Sequence, residues 1–212
     1  TPYQTPPFDR ITEDDFRPAF AYGIEQHAKE IDSLANNPEA PTFDNTIVAL
    51  DNSGKILERV SAVFFGLEGA DKTDAIEQIA IEVSPKLSEH NDNIYLNQKL
   101  FERIKTIYDQ TENLNLTTEQ KQLLNKYYKR FVRGGILLND SEKQRLREIN
   151  KELSSLTLQY GNNVLKETNN YTLVIEDEKD LSGLPEAIIA AAAETAKANG
   201  MEGKWVFTLH KP

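Results

Sequence analysis

Apolar side chains recur at intervals of three and four residues along most of the chain, a spacing that places them on one face of an α-helix. The first series comprises Phe16, Phe20, Ile24, His27 and Ile31. It follows Thr12 and the acidic run Glu13 to Asp15, and a threonine followed by acids is typical of a helix N-terminus. The pattern predicts an amphipathic helix of about 20 residues that begins at Thr12.

The segment APTFDNTIVALDNSG, residues 40–54, places a proline, an apolar series and a glycine within a short frame. Thr42 is a predicted N-cap, and Phe43, Ile47 and Leu50 share one helical face. The closing Asn-Ser-Gly allows a bend before the next helix. We interpret the segment as a short capped helix and a tight bend that set the angle of the following helices, without chemistry of its own.

The same spacing predicts helices over residues 73–96 and 97–110. Pro85 lies inside the first of them and is expected to kink or break it, because proline lacks the backbone N–H. Thr117 with Gln120 matches the capping-box pattern and opens a further helix, which the following Gly-Gly pair ends.

The clearest helical pattern begins near Ser141, which with Gln144 forms a second predicted capping box. Its apolar stripe comprises Leu146, Ile149, Leu153, Leu156, Tyr160 and Val164. We expect this stripe to pack within the helical body.

The pattern changes near residue 171, where YTLVIED alternates as a strand does. A helix with Pro185 at its first turn and Gly200 past its end follows, and KWVFTL is a second strand-like run. The order predicts a βαβ-like piece whose strands expose unpaired edges, so we expect it to be the least stable part of the chain.

These patterns predict a mainly α fold, a multi-helix antiparallel bundle with a small α+β piece at its C-terminal end. The predicted divisions are an extended arm over residues 1–11, pinned by Tyr3 and Phe8, a helical body over 12–170, and a strand–helix–strand piece over 171–212. Because the chain stops on a strand-like run, we expect it to be truncated before a further part.

Composition narrows the possible partners. The 212 residues carry a formal net charge of −10, and so acidic a chain repels phosphate backbones, which argues against nucleic acid. Cysteine is absent, which excludes disulfides and thiolate zinc sites. No apolar run approaches the roughly 20 residues of a membrane span, so no membrane partner is expected. The chain begins at Thr1 rather than Met, as if trimmed, and a cytoplasmic or a periplasmic location both stay open.

Residues typical of catalysis are sparse. The three histidines, His27, His90 and His210, form no H-E-x-x-H zinc motif. His90 lies near Glu89 and Asp92 in SEHNDN, which we interpret as a polar helix face rather than a metal site. The sequence therefore assigns no catalytic and no metal-binding residue, and leaves substrate-binding residues unknown.

Two other groups of polar residues suggest ordinary structural roles. NKYYKRFVRGG, residues 125–135, interleaves basic and aromatic side chains, as some single-strand binders do. At helical spacing the same residues give an aromatic stripe on the core and a basic solvated edge, which we favour. The acidic groups Asp14-Asp15 and 176–178 are typical of helix starts and turns.

Several segments in fixed order carry a resemblance to a known family. They are PPFDRITEDDFRPAF, PTFDNTIVALDNSGKILERVSAVFFGL, SPKLSEHNDNIYLNQKLFERI, FVRGGILLNDSEKQRLREINKELSSL, LSGLP and GKWVFTL. Together they resemble the N-terminal half of the thimet-oligopeptidase-like zinc metallopeptidases, with the bacterial peptidyl-dipeptidase branch first and the oligopeptidase A branch next.

The resemblance implies a helical fold whose two halves face each other across a channel that admits short peptides. It places the H-E-x-x-H motif and the third zinc ligand beyond the position of Pro212, so no catalytic or zinc residue is carried over. The implied partners are short peptides and a C-terminal catalytic half, and the implied cofactor is zinc in the full-length parent, with none in this chain. The alternative is a free-standing helical binding module without activity, and the choice between exopeptidase and endopeptidase stays open.

Overall fold

A computed structural model describes residues 5–210 of the chain, so Tyr3 and the last two positions lie outside the described residues. The chain divides into two compact units, the first ending at Leu156 and the second beginning at Thr157. This boundary, between residues 156 and 157, falls inside one long helix. The boundary at residue 170 between the helical body and the C-terminal piece stays a prediction from the sequence.

Helices make up most of the first unit. In chain order they are α1 (Glu13–Ala35), a π-helical turn (Phe43–Val48) continued by α2 (Ala49–Asp51), α3 (Lys55–Ala70), α4 (Asp74–Tyr95), α5 (Gln98–Tyr108), α6 (Thr118–Arg133) and α7 (Asp140–Asn170), whose last turns extend into the second unit. The predicted mainly α fold is confirmed. None of the helices among residues 5–210 has both the length and the apolar character needed to cross a membrane.

Local capping positions several of these helices as the sequence predicts. The carboxylate of Asp15 accepts from the backbone N–H of Thr12 at 2.8 Å. The backbone N–H of Gln120 donates to the Thr117 hydroxyl at 3.3 Å, and the Gln120 side chain accepts from the Thr117 N–H at 2.9 Å, which completes the predicted capping box. Each bond satisfies a backbone donor that has no partner within the helix.

The segment around Thr42 forms the predicted short capped helix, although its first turn is π-helical rather than α-helical. Thr42 accepts from the backbone N–H of Asn45 at 3.0 Å, and the predicted apolar face is buried. The buried guanidinium of Arg103 on α5 fixes the loop before it by donating to the carbonyls of Asn37 and Glu39 at 2.8 and 3.0 Å. These contacts fix the backbone of the segment against α5.

The core of the first unit joins α1 to α3 through aromatic contacts and extends across α5 and α6. Phe64 meets Phe16 and Phe20 edge to face, with ring centroids 5.0 and 5.2 Å apart. Further buried members are Ile31, Ile47, Leu100, Ile104, Leu124 and Phe131. Burying each such side chain contributes about 1.5–3 kcal/mol, so this apolar packing holds the helices together.

Of the two outcomes expected at Pro85, a kink or a break, the break is wrong, because α4 continues through Pro85 to Tyr95. Proline removes one helical hydrogen bond. The buried side chains Ile79 and Val83 precede it and Ile94 follows it, so tertiary packing holds both halves of α4 in one helix.

Two expectations about α7 are also wrong. Within the first unit the predicted stripe does not pack into the body: no residue of α7 is buried, and Leu153 and Leu156 are 53% and 50% exposed. Its predicted cap is displaced as well, because Asn139 and Glu142, rather than Ser141 and Gln144, exchange backbone and side-chain bonds at 3.0 Å. Asparagine is at least as good an N-cap as serine, so the helix begins at the earlier position.

The second unit holds β1 (Thr172–Ile175), α8 (Glu186–Ala198) and β2 (Trp205–Thr208), which confirms the small α+β piece. The strands pair with each other, antiparallel, with Val174 opposite Val206. The expectation of a βαβ-like arrangement with unpaired strands is therefore wrong. Glycine turns with positive φ after α8 return the chain along β1, and Val206 is buried.

Phe8 belongs to the part of the predicted arm that the structure describes, residues 5–11. Phe8 does not pin the arm, since its side chain is 56% exposed and residues 8–10 form a turn. The N–H of Arg10 donates to the carbonyl of Pro7 at 2.9 Å, which closes this turn. Pro6 and Pro7 restrict the backbone here, but Phe8 stays more than half exposed beside them.

Candidate functional site

Two of the three histidines meet in the first unit. Nε2 of His90 on α4 lies 3.0 Å from Nδ1 of His27 on α1. Nε2 of His27 lies 3.2 Å from the Ser53 hydroxyl in the bend before α3, and that hydroxyl donates to the carbonyl of Leu50 at 2.7 Å. The three side chains therefore form one hydrogen-bonded row across α1, α4 and the bend.

The row has one consistent direction. Because the only proton of the Ser53 hydroxyl goes to Leu50, its oxygen accepts from Nε2–H of His27. Neutral His27 then accepts at Nδ1, and Nε2–H of His90 is the donor. Ser53 consequently lacks a general base to remove its proton, which argues against a nucleophilic role.

The bend itself is shaped by Gly54, whose φ of 72° lies in the left-handed region. Its backbone N–H donates to the Glu30 carboxylate on α1 at 2.6 Å. A Cβ at this position would lie 2.8 Å from ring atoms of His27. Glycine thus allows the bend to approach the imidazole closely.

Burial favours the neutral form of both imidazoles. It lowers the pKa of His27, against an opposing effect of the Glu30 charge, and it lowers the pKa of His90, where the neighbouring His27 acts in the same direction. Two imidazoles in contact cannot both be cationic without repulsion. The described residues contain no group of three or more histidine or acidic side chains placed to hold a metal ion.

The interpretation of SEHNDN as a polar helix face is wrong. His90 is buried against His27, and Asp92 is only 9% exposed. Asp92 accepts from the amide of Asn150 on α7 at 2.7 Å, and burial raises the pKa of its carboxyl. The two side chains thus serve separate contacts with α1 and α7. Glu89 is exposed, and His210 is an exposed residue of the second unit.

The basic and aromatic residues of α6 separate as predicted. Phe131 is fully buried, Tyr127 and Tyr128 are half-buried, and the four cations are exposed. We call these four, Lys126, Lys129, Arg130 and Arg133, the α6 cationic face. They line an open cavity of about 710 Å³ together with Tyr95, Asp92 and Asn91 of α4 and Asn150 of α7.

The acidic pairs serve structural contacts. Asp15 caps α1, and the hydrogen bonds from the backbone and hydroxyl of Thr12 lower its pKa. Glu176 pairs with Lys204, which joins the end of β1 to the start of β2. The predicted roles of these acids at helix starts and turns agree with the contacts.

Sequence spacing did not reveal that α4 and α7 contribute to the α6 cavity. Tyr95 and Asn150 lie far from α6 along the chain, and no local motif connects them. The alternation of cations and aromatics was the one signal in the sequence that pointed to this part of the surface.

No protein-family model matches the chain. The dipeptidyl carboxypeptidase of Escherichia coli K12 is 38% identical over 208 residues, which are 98% of this chain and 30% of that protein. The Salmonella typhimurium dipeptidyl carboxypeptidase is 36% identical over 98% of the chain, and oligopeptidase A of Escherichia coli K12 is 28% identical over 100%. The chain spans about 30% of the length of these relatives. The resemblance to thimet-oligopeptidase-like peptidases is confirmed.

Proposed function

Because the chain is homologous to part of the bacterial dipeptidyl carboxypeptidases and oligopeptidases A, we propose that it is a non-catalytic, channel-forming part of a zinc metallopeptidase. The parent protein cleaves short peptides and releases C-terminal dipeptides. The observation that carries the proposal is the alignment of 98% of the chain with a dipeptidyl carboxypeptidase at 38% identity.

The side-chain chemistry of the chain favours a non-catalytic role over a catalytic one. The sequence contains no H-E-x-x-H motif, and Ser53, which contacts His27, donates its hydroxyl proton to the backbone carbonyl of Leu50. In this proposal the zinc ion and its water-activating glutamate belong to a part of the parent outside these residues. The helices of the first unit form one wall of the channel.

The dipeptide-releasing activity is favoured over internal cleavage by the relatives. Both dipeptidyl carboxypeptidases share more identical residues with the chain than the Escherichia coli oligopeptidase A does. Since the aligned residues of this chain do not contain the catalytic motif, the preference for dipeptide release over internal cleavage rests on homology alone.

The test begins with the coding sequence. We expect the reading frame to encode H-E-x-x-H downstream of these residues, and the protein it encodes to cleave an N-acetylated tetrapeptide with a free C-terminus in half. Mass spectrometry identifies the dipeptide, and the C-terminal amide of the same peptide is the matched control. A metal chelator should stop cleavage, and added zinc should restore it.

Three results would overturn parts of the proposal. A reading frame without the motif would favour the free-standing binding module. Equal cleavage of the acid and the amide would contradict dipeptide release while keeping the peptidase. Cleavage that persists after complete metal removal would contradict zinc catalysis.

A further inference from the structure

The α6 cationic face concentrates positive charge on a chain whose net charge is −10. Among residues 5–210, none of its four side chains forms an ion pair with a carboxylate within 4.0 Å. Elsewhere the chain does pair cations, as where Arg17 of α1 donates to both oxygens of Glu82 at 2.7 and 2.8 Å. The charge of the α6 cationic face is therefore available to a ligand.

Arg130 is held in place before any ligand arrives. Its guanidinium carbon lies 4.5 Å from the centroid of the Tyr95 ring, a cation–π contact. Tyr95 in turn meets the buried Phe131 edge to face, with centroids 5.2 Å apart. A guanidinium fixed in this way loses less side-chain freedom when it binds an anion.

The cavity beside these cations has the dimensions of a ligand site. Its volume of about 710 Å³ lies within the roughly 300–1,000 Å³ that is usual for ligand pockets. Asp92 is the one acid among its lining residues. That carboxylate accepts from Asn150 at 2.7 Å, and its single negative charge stands against the four positive charges of the α6 cationic face.

The charge distribution selects small anions over long ones. At physiological salt, charges are screened beyond about 8 Å, so a small anion in the cavity interacts mainly with the nearby cations. A long polyanion would extend over the acidic remainder of the surface and be repelled. The planar fork of arginine matches a carboxylate in two parallel hydrogen bonds.

We propose that the α6 cavity binds the side-chain carboxylates of short acidic peptides. The α6 cationic face supplies the charge, and Arg130, fixed on Tyr95, supplies the oriented donors. That the ligand is a peptide rests on the proposed function. The carboxylate chemistry rests on the geometry of the cavity alone.

The test measures binding to the intact protein with two peptides of equal length, acetyl-Ala-Glu-Ala-Glu-Ala-amide and its Gln-for-Glu counterpart. Both ends are blocked, so the only difference is the side-chain charge, and mass spectrometry verifies that the peptides stay intact. We expect the Glu peptide to bind about tenfold more tightly at low salt, as charge-assisted hydrogen bonds do. Raising the salt concentration should reduce this difference.

Variants assign the effect to the cavity. Lys129→Gln combined with Arg133→Gln should weaken binding of the Glu peptide and reduce its preference over the Gln peptide, because two of the four cations of the α6 cationic face are lost. Lys121→Gln is the matched control, because Lys121 lies on the same helix but pairs with Glu112 at 3.7 Å and does not line the cavity. All the substituted side chains reach the surface, so each variant should keep the melting temperature of the parent within a few degrees.

The final experiment is competition between inorganic phosphate and the Glu peptide. If phosphate displaces the Glu peptide at comparable concentration, the site recognises anions in general and the peptide assignment is wrong. Equal binding of the two peptides, or an equal loss in Lys121→Gln, would contradict the carboxylate site. If the protein releases dipeptides but does not prefer the Glu peptide, the cavity proposal fails and the proposed function stands. If the protein prefers the Glu peptide but has no peptidase activity, the proposed function fails and only the carboxylate site stands.

Discussion

The imidazoles of His27 and His90 lie in direct contact, with Nε2 of His90 3.0 Å from Nδ1 of His27. The two residues are separated by 63 positions in the chain, and their rings meet at 63° with centroids 4.9 Å apart. Together with Ser53 they join α1, α4 and the bend before α3. The row requires a neutral His27, because Nδ1 of His27 accepts from Nε2–H of His90 and a protonated Nδ1 could not.

The contact predicts that stability falls in mild acid. Burial lowers the pKa of both histidines below the ordinary value of 6.5, so between the folded-state pKa and 6.5 the unfolded chain binds more protons. The free energy of unfolding therefore rises with pH in that window. The stabilisation is fully present above pH 6.5 and is lost as the pH falls through the folded-state pKa.

The measurement is the free energy of unfolding by urea between pH 7.5 and 5.0. His90→Gln should reduce the slope of the free energy of unfolding against pH. The substitution removes one titrating imidazole and, with it, the repulsion between His90 and His27. His210→Gln, on an exposed residue of the second unit, should retain the parent slope. An unchanged slope in His90→Gln would show that other groups cause the pH dependence.

Gly54→Ala should destabilise the first unit strongly. A left-handed backbone costs a non-glycine residue roughly 1–2 kcal/mol, and the added Cβ would lie 2.8 Å from the His27 ring. We expect a loss of about 2–4 kcal/mol in the free energy of unfolding. Gly66→Ala is the matched control: it lies within α3 with nothing inside 4 Å of a new Cβ, and it should be neutral or gain up to about 1 kcal/mol.

The start of α7 can be tested by comparing two neighbouring caps. Asn139→Ala should lower the free energy of unfolding by about 1 kcal/mol, because the Asn139 side chain accepts from the Glu142 N–H. Ser141→Ala should change it by less than about 0.5 kcal/mol, as is usual for an exposed helix position. A larger loss in Ser141→Ala than in Asn139→Ala would instead support Ser141 as the cap, as predicted from the sequence.

The exposed stripe of α7 predicts tolerance to polar substitution. Leu153→Gln should change the free energy of unfolding by less than about 0.5 kcal/mol, since the side chain is 53% exposed. Leu100→Ala on α5 is the contrast, because Leu100 is fully buried and its truncation should cost about 2–5 kcal/mol. A loss of more than about 1.5 kcal/mol in Leu153→Gln, measured by urea unfolding, would show that the stripe is covered in solution.

The sequence predicted features that depend on near neighbours in the chain. The caps at Thr42 and Thr117 and the glycine bend at Gly54 follow from backbone groups within a few residues. The split of α6 into a buried aromatic stripe and exposed cations follows from the helical period. The residues that carry the family resemblance are likewise contiguous segments.

Features that depend on distant neighbours could be predicted only in part. Val83 lies on an apolar stripe that is buried, whereas Leu153 lies on an equally regular stripe that is exposed. Periodicity identifies an apolar face of a helix but does not specify what packs against that face. Pro85 was expected to kink or break α4, and the helix does not break there, because buried side chains on both sides of Pro85 hold it together.

The sequence by itself determined the helical class of the chain, its principal caps and its relationship to a peptidase family, because these reside in local spacing and in the order of contiguous segments. Only the tertiary structure decided that His27 meets His90, that Asp92 is buried on Asn150, and that Tyr95 orients Arg130 beside a cavity. Each of those contacts depends on how separate helices pack, and the free energy of packing is shared among side chains that lie far apart in the sequence.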